Sequence, residues 1–503
     1  MSNQKKKKKS FPTAITVLFI VLIFACVLTY LVPAGVYSKL TYDAEKKEFI
    51  VTDHAGEVTE MPGTQETLDT LHVTGSLDKF QDGSISKPVS IPETYTEVKQ
   101  QPQGFKAFVM APVKGVYDTI GIILFVFILG GNIGVLDYMG AFGAGVANLS
   151  RKTKGKEYLL IIIITIIIAI GGTTFGLAEE TIALYPIMLP VFIAAGYDVL
   201  TCIAVIYMGS SIGTMFPTTN PFSSGTAANA AGISLADGMG FRFVSLVIGT
   251  VITLIYILRY AKMVKNDPSK SICYEDKDAI EAKFGQQGEA PEFTGRMKIC
   301  LGVFGASFAV LVWGIVKGGW WFEEMTALFI VTAIVLAFLS GIGEKVFMDK
   351  FITGAADLMS VALVVGVARG VNYIMDDGLI SDTILHFFSG AIAGMNPYIF
   401  ILLMMLVFCV LGFFIPSSSG LAVLSIPIMA PLADAVGLPR EVIISAYASG
   451  QGLMSFITPT GLILASLAMV DVSYDKWLKF IMPLMGIIAV FSAVMLMIFT
   501  AVA

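Results

Sequence analysis

The sequence predicts an all-α polytopic membrane protein made of two inverted repeats, each with a re-entrant hairpin and an interrupted helix. Three observations carry that prediction. The 503 residues are 55% hydrophobic and only 14% charged, where soluble domains run nearer a quarter charged. Apolar runs are broken at four places by clusters of glycine, proline, threonine and serine: "GGTTFGLAEE" (171–180), "PTTNP" (217–221), "IPSSSG" (415–420) and "TPTG" (458–461). The breaks also recur. "YPIMLPVFIAAG" (185–196) lies without gaps on "IPIMAPLADAVG" (426–437), pairing Pro186 with Pro427 at a shift of 427 − 186 = 241. The same shift pairs Pro190 with Pro431, Gly196 with Gly437 and Gly209 with Gly450, and lays "PTTN" on "TPTG".

The elements follow in order. Residues 1–37 are a basic N-terminus and a first transmembrane helix: the apolar run Thr13–Val32 has spanning length, longer than the apolar part of a signal peptide, and the lysines hold the N-terminus in the cytoplasm. Residues 38–103 are an external polar loop or small cap. Residues 104–261 form the first repeat. It begins with an interfacial helix, "FKAFVMAPVKGVYDTI", followed by a span near 119–137 and a basic cytoplasmic loop at 151–157. Hairpin 158–196, broken helix 199–232 and a span near 240–260 complete it. Residues 262–296 have the composition of a cytoplasmic linker. Residues 297–503 hold an extra helix and the second repeat. Spans near 298–317 and 324–343 come first, then an amphipathic "EKVFMDKFITGAADLM" and a span near 358–376. Hairpin 397–437, broken helix 440–470 and a last span near 478–500 follow.

Sidedness follows from charge. Counting from a cytoplasmic N-terminus, every basic loop except the turn at Arg440 lands inside. That count is the same whether the hairpin arms are complete spans or stop at mid-membrane. Their uncharged Gly-Thr and Ser-rich tips favour mid-membrane. The second half then runs inverted to the first, the architecture of secondary transporters, in which interrupted helices meet at the bilayer midplane. Unwound backbone at that depth must be buried in protein or line a cavity.

The inversion gathers the candidate substrate-binding residues: Thr173, Thr174, Glu179 and Glu180 from the first break, Thr218, Thr219 and Asn220 from the second, Ser417, Ser418 and Ser419 from the third, and Thr458 and Thr460 from the fourth. Such hydroxyls either patch the broken helices or grip a ligand, and their recurrence in both repeats favours a ligand. A carboxylate at bilayer depth is costly and marks function, although a helix N-terminus also stabilises one. Read as an α-helix, Glu179 shares a stripe with Ala183, Pro186 and Pro190, and Glu180 one with Leu184, Ile187 and Val191. The small-residue stripe favours Glu179 for direct contact. The second hairpin has no acid, and its serines precede a helix N-terminus, a seat for a carboxylate. A site with acid on one side and anion-accepting groups on the other suits a zwitterion with an extra cation, such as a basic amino acid. The five cysteines and three histidines show no metal-ligand spacing. No cofactor, no catalytic constellation and no nucleic-acid partner are expected, and the coupling ion is left open.

The stretches "GGTTFGLAEETIALYPIMLPV", "GVARGVNYIMDDGLISDTILH" and "PSSSGLAVLSIPIMAPLAD…SGQGLMSFITPTG" resemble the YfcC/ArcD-type carriers of the C4-dicarboxylate anaerobic carrier group, in the ion-transporter superfamily. The resemblance runs over nearly the whole chain after the N-terminal loop. It implies a scaffold plus a transport domain, elevator movement, a homodimer and multi-pass residence in the cytoplasmic membrane. It also implies arginine–ornithine exchange or, as the alternative, carriage of a C4-dicarboxylate or other organic anion coupled to protons or sodium. Sodium-coupled members carry a Ser-Asn-Thr signature, and this chain departs from it with "TTN" at 218–220, "SSS" and "TPT". Arg369, Asp376 and Asp377 read either as interface charges or as ion pairs, with Arg369 the one expected to pair within the membrane.

Overall fold

The computed structural model describes residues 12–503 apart from 74–75, 82–84, 86–87, 146–147, 149–155, 286–291, 319, 321 and 393–394. The basic N-terminus, most of the basic loop 151–157 and part of the linker therefore lie outside the described residues.

Helix α1 (Ala14–Leu31) starts where the Thr13 side chain accepts the Thr16 N–H, and it is apolar along its length. The segment after it corrects the all-α expectation. Residues 38–103 are a folded cap. Strands β2 (Lys39–Asp43), β3 (Glu48–Thr52), β4 (Val58–Pro62) and β5 (Val89–Ser90) form an antiparallel sheet in the order β4-β3-β2-β5, while β1 (Gly35–Val36) pairs with β6 (Thr96–Glu97). The sheet and helices α2 (Gln65–Thr70) and α3 (Leu77–Gln81) enclose Leu40, Phe49, Leu68, Phe80 and Val89. The cap reads as a loop because each strand is five residues or fewer, too short for a period-2 pattern to stand out.

Helices α4 (Phe105–Asp118), α5 (Ile120–Tyr138) and α6 (Tyr158–Phe175) follow, then α7 (Tyr185–Ala194), α8 (Val199–Met215, with a π turn at Ala204–Met208), α9 (Thr226–Ala231) and α10 (Met239–Asn266). The linker is more ordered than its composition suggests. Helix α10 runs to Asn266, and α11 (Lys277–Phe284) buries Ile280. Lys283 bonds Asp471 at 2.5 Å, and Asp276 pairs with Lys476. The second half comprises α12 (Gly295–Gly318), α13 (Phe322–Leu339), α14 (Glu344–Asp357), α15 (Met359–Asp377), α16 (Ser381–Ile392), α17 (Pro397–Phe414), α18 (Ser418–Ala435), α19 (Arg440–Ser455), α20 (Ile463–Met469) and α21 (Tyr474–Val502). Among the described residues, nine helices are long and apolar enough to cross a membrane.

The halves repeat element by element. Helices α4, α5 and α6 have 14, 19 and 18 residues, and so do α14, α15 and α17. Each starts 239 residues after its counterpart, as in 344 − 105 and 397 − 158. Packing is reciprocal: α4 lies on α15 and α14 on α5. Both crossings need glycine. A Cβ on Gly115 would sit 2.1 Å from the Gly366 carbonyl oxygen, and one on Gly354 would sit 2.3 Å from that of Gly130. Small residues let membrane helices approach this closely. Of the three charges singled out in the sequence, Arg369 and Asp377 form ion pairs here, and among the described residues Asp376 forms none. Arg369 of α15 pairs with Asp118 at the end of α4, and Lys114 with Asp377 at 2.6 Å.

The cap is fastened to α16. Asp382, 7% exposed, accepts the Tyr37 N–H at 2.9 Å and pairs with Lys39 Nζ at 3.0 Å. The Tyr95 ring stacks on His386 at 3.9 Å, and the Tyr37 hydroxyl shares a 3.1 Å hydrogen bond with His386 Nδ1. Burial pushes the Tyr37 phenol up to about 12, so it keeps its proton at neutral pH. Asp382→Asn removes the charge-assisted contacts of this latch, each worth about 1.5–3 kcal/mol. Amide exchange across residues 38–103 is therefore expected to accelerate roughly tenfold or more while the membrane helices stay protected. Unchanged exchange in the cap would show that the latch carries no weight.

Candidate functional site

Hairpin α6–α7 turns at Gly176, whose φ of 78° is left-handed. A side chain there would also strike Phe222 and Asn220, within 3.0 Å of the added Cβ. After the turn, Glu179–Leu184 form a 3₁₀ turn, and the α-helix begins only at Tyr185, next to Pro186. This corrects the stripes read from the sequence. They assume α geometry, whereas in a 3₁₀ turn residues i and i+3 eclipse. Glu179 therefore shares a face with Ile182, and Glu180 one with Ala183, both apolar residues being buried.

The first arm of each hairpin packs on the first part of its own half's broken helix, α6 on α8 and α17 on α19. The second parts cross over. Helix α9 packs on α18 of the other half, and α20 packs on α7 and the 3₁₀ turn of the first hairpin. The broken helices meet each other as α8 on α19, where a Cβ on Gly452 would lie 2.6 Å from the Met215 side chain. The structure thus brings the four breaks into one interlocked unit.

Within that unit most of the candidate hydroxyls are spent on carbonyls. Thr173 Oγ1 donates to the Phe216 carbonyl at 2.8 Å, and the Thr218 and Thr219 N–H groups donate to the Thr173 carbonyl at 3.0 and 3.1 Å. Thr218 Oγ1 donates to the Thr173 carbonyl, Thr219 Oγ1 to that of Thr174, and Thr174 Oγ1 back to that of Ile170. Asn220 is engaged through both ends of its amide. Its Nδ2 donates to the Gly172 carbonyl at 3.0 Å, and its Oδ1 accepts the Phe222 and Ser223 N–H groups, capping the turn that leads into α9. The second half repeats the device. Thr458 and Thr460 lie 3.1 Å apart, one hydroxyl donating to the other, and both reach the Phe413 carbonyl near the end of α17, at 3.4 and 3.2 Å, so that their two hydrogens are shared among these contacts. Gln451 Nε2 donates to the Pro416 carbonyl as Ser210 donates to that of Leu177. Ser417 caps α18 by accepting the Gly420 N–H at 3.2 Å, and the Ser418 carbonyl accepts the Tyr447 hydroxyl at 2.7 Å. Ser419 stands beside them in the first turn of α18.

The carboxylates are different. Glu179 and Glu180 are partly buried, and among the described residues neither forms an ion pair. Glu180 Oε2 accepts the Ala178 N–H at 3.1 Å, turned back on its own tip. Glu179 lies within electrostatic reach of Tyr207 of α8, whose hydroxyl donates to the Ser455 carbonyl of the other broken helix at 2.6 Å. The two neighbouring carboxyl groups have no cationic side chain bonded to them among the described residues, so a cationic group could partner them.

Sequence reasoning missed Arg242. It is 2% exposed, near the start of α10, and staples the second break from behind: Nε donates to the Pro217 carbonyl at 2.9 Å, Nη1 to that of Asp237 and Nη2 to that of Leu235, both at 3.0 Å. The signal available was one arginine entering an otherwise apolar run, "MGFRFVSLVIG".

Comparison with known proteins adds the following. The family model described as C4-dicarboxylate anaerobic carrier, DcuC, matches residues 11–501. An uncharacterized protein of Haemophilus influenzae is 42% identical over 500 residues, covering 99% of this chain and 98% of the relative. A protein of Escherichia coli named "Putative basic amino acid antiporter YfcC" is 28% identical over 506 residues, covering 97% and 96%. Among solved structures, the YdaH transporter of Alcanivorax borkumensis matches 98% of this chain and 99% of its own, with 13% identity and a TM-score of 0.39. MtrF of Neisseria gonorrhoeae matches 98% and 96%, with 16% identity and a TM-score of 0.38.

Proposed function

This chain belongs to the C4-dicarboxylate anaerobic carrier family of membrane transporters, and from that premise we propose that it is a secondary active transporter of a basic amino acid, working by arginine–ornithine type exchange. The observation that carries the reading is the pair Glu179 and Glu180, placed at a hairpin tip with no cation of the described chain on either. A guanidinium or ammonium of the substrate supplies the missing charge, and charge-assisted hydrogen bonds make the contact strong. The serines at the N-terminus of α18 take the substrate carboxylate. The similarity to the relative named for basic amino acid antiport points the same way.

The mechanism we infer is an elevator. The hairpins and broken helices, joined by glycine-tight crossings, move as one transport domain. The helices α4, α5, α14 and α15, bound reciprocally and by ion pairs, serve as scaffold. Reciprocal packing is what a two-fold relation between the halves produces, and the placement of basic loops in the sequence supports reading that relation as an inversion. A homodimer in the cytoplasmic membrane, with no resident cofactor, completes the proposal.

A second reading is carriage of a C4-dicarboxylate, favoured by the family description and by the Ser417-capped N-terminus of α18. Proteoliposomes separate the two. Labelled arginine is expected to enter vesicles preloaded with arginine or ornithine, and labelled succinate to stay out. Succinate uptake without arginine uptake would replace the first reading by the second.

A further inference from the structure

An open groove of about 340 Å³ runs between α4 and α15, in the size range of small-molecule sites. Ala107, Met110, Ala111 and Ile374 give it apolar sides. It lies at the cap end of both helices. Helix α4 begins there, α15 ends there, and Gln103 Nε2 donates to the Asp377 carbonyl at 3.0 Å. The charges are located by their contacts. The Lys114 ammonium is 2.6 Å from Asp377 Oδ2 and 5.4 Å from the centre of the Tyr373 ring. Both partners line the groove, so this ammonium stands in its wall. The ion pair stays 44% exposed on each side, and an ammonium has three donors, so Lys114 has donors left for a second acceptor. Lys106 also lines the groove, is exposed, and among the described residues forms no ion pair. Two lysines against one aspartate give the groove a net charge of 2 − 1 = +1.

The repeat shows that the crossing does not require these side chains. At the shift of 239 that relates α4 to α14 and α5 to α15, Lys106 falls on Lys345. Lys114, however, falls on Thr353, Tyr373 on Gly134 and Asp377 on Tyr138. Both halves make the helix crossing, whereas this set of charges belongs to one. Away from the cap end, Met110, Val113 and Tyr117 follow at helical spacing along α4 and are all exposed. The groove therefore asks for an occupant with an anion near the start of α4 and hydrocarbon further along it. A soluble phosphate leaves the apolar strip bare. A zwitterionic headgroup brings its own ammonium to a groove that is already net positive.

We propose that this groove binds one anionic phospholipid of the surrounding bilayer, its phosphodiester on Lys106 and Lys114 and its acyl chains along α4. Basic pockets between membrane helices seat anionic headgroups by charge. Bound there, the lipid touches both α4 and α15 and braces their glycine-tight crossing at Gly115 and Gly366. The proposal stands apart from the identity of the transported substrate.

The test is lipid titration of the delipidated full-length protein in detergent, with native mass spectrometry counting bound lipids and protomers. Phosphatidylglycerol is expected to bind saturably, and phosphatidylcholine with the same chains to bind several-fold more weakly. Lys106→Gln should weaken phosphatidylglycerol roughly fivefold, the worth of one lysine near a membrane surface, and Lys106→Glu should weaken it further. Lys106 is exposed and unpaired, so neither variant threatens the fold. Lys345→Gln, the counterpart lysine, is expected to leave binding unchanged. Equal binding of the two lipids, wild-type binding by Lys106→Glu, or the same loss in Lys345→Gln would each overturn the site. Glycerol phosphate displacing the lipid at equal concentration would make it a site for soluble phosphates instead. A dimer that separates in Lys106→Glu while lipid binding persists would give the groove to a second copy of the chain.

Discussion

Glu179→Gln is expected to weaken arginine binding by two to four decades. The substitution keeps shape and hydrogen-bonding capacity and deletes the charge. Removing one partner of a buried charge pair costs about 3–5 kcal/mol, because the other charge stays behind desolvated, and each 1.4 kcal/mol is about tenfold in affinity. Glu180→Gln is expected to do less. One of its oxygens already accepts the Ala178 N–H, so part of its charge is satisfied within the tip. Binding of arginine and succinate to purified wild type and both variants checks this directly. Arginine binding by Glu179→Gln as tight as that of wild type would remove the cation-site reading. Succinate binding that survives both substitutions but loses its pH dependence would instead make the glutamates proton carriers for an anion.

The other large effect is structural. Gly213→Val is expected to destroy the folded protein. A Cβ on Gly213 would stand 2.3 Å from the Ala169 carbonyl oxygen and 2.9 Å from both Gly172 Cα and the Thr173 nitrogen. These are backbone atoms of the facing helix, so no side-chain rotation relieves them. Gly172 is the reverse of the same contact, 2.6 Å from the Ser210 carbonyl oxygen. Overpacking costs about 3 kcal/mol or more where the neighbour cannot yield, and here separating α6 from α8 also breaks the hydrogen bonds between the first two breaks. Gly486→Ala in α21 is the control: nothing lies within 4 Å of its added Cβ, and alanine favours a helix by about 1 kcal/mol over glycine. Monodisperse yield and unfolding midpoint in detergent measure both. A Gly213→Val protein as stable as wild type would mean that the helices do not cross at this distance.

What was readable in the chain, and what was not, divides along the range of the interactions. The hairpins and broken helices were readable because their signals are local. Long apolar runs end at Gly176, Pro217, Pro416 and Pro459, residues that act on their own backbone. The repeat was readable because it is a property of the string, and the structure extends it to helix lengths and starts. The cap was not readable. Its core assembles Leu40, Phe49 and Leu68 from strands and a helix too short to announce themselves. Nor was the 3₁₀ turn at Glu179–Leu184, since composition there fits either helix type.

By itself, then, the sequence determined a polytopic membrane protein of repeated, interrupted elements, with two acids at a tip where acids are costly. Only the tertiary structure decided what each polar group does. Thr218 and Thr458 each reach a carbonyl 45 residues away, and Arg242 reaches Pro217 across a turn and a helix end. Local pattern places a hydroxyl at a break, but whether it patches backbone or faces a ligand depends on which carbonyl the fold brings within 3 Å or so. The threonines and Asn220 were met by carbonyls and backbone N–H groups, whereas among the described residues Glu179 and Glu180 were met by no cation, and that contrast is a product of how each hairpin packs on the broken helix of its own half.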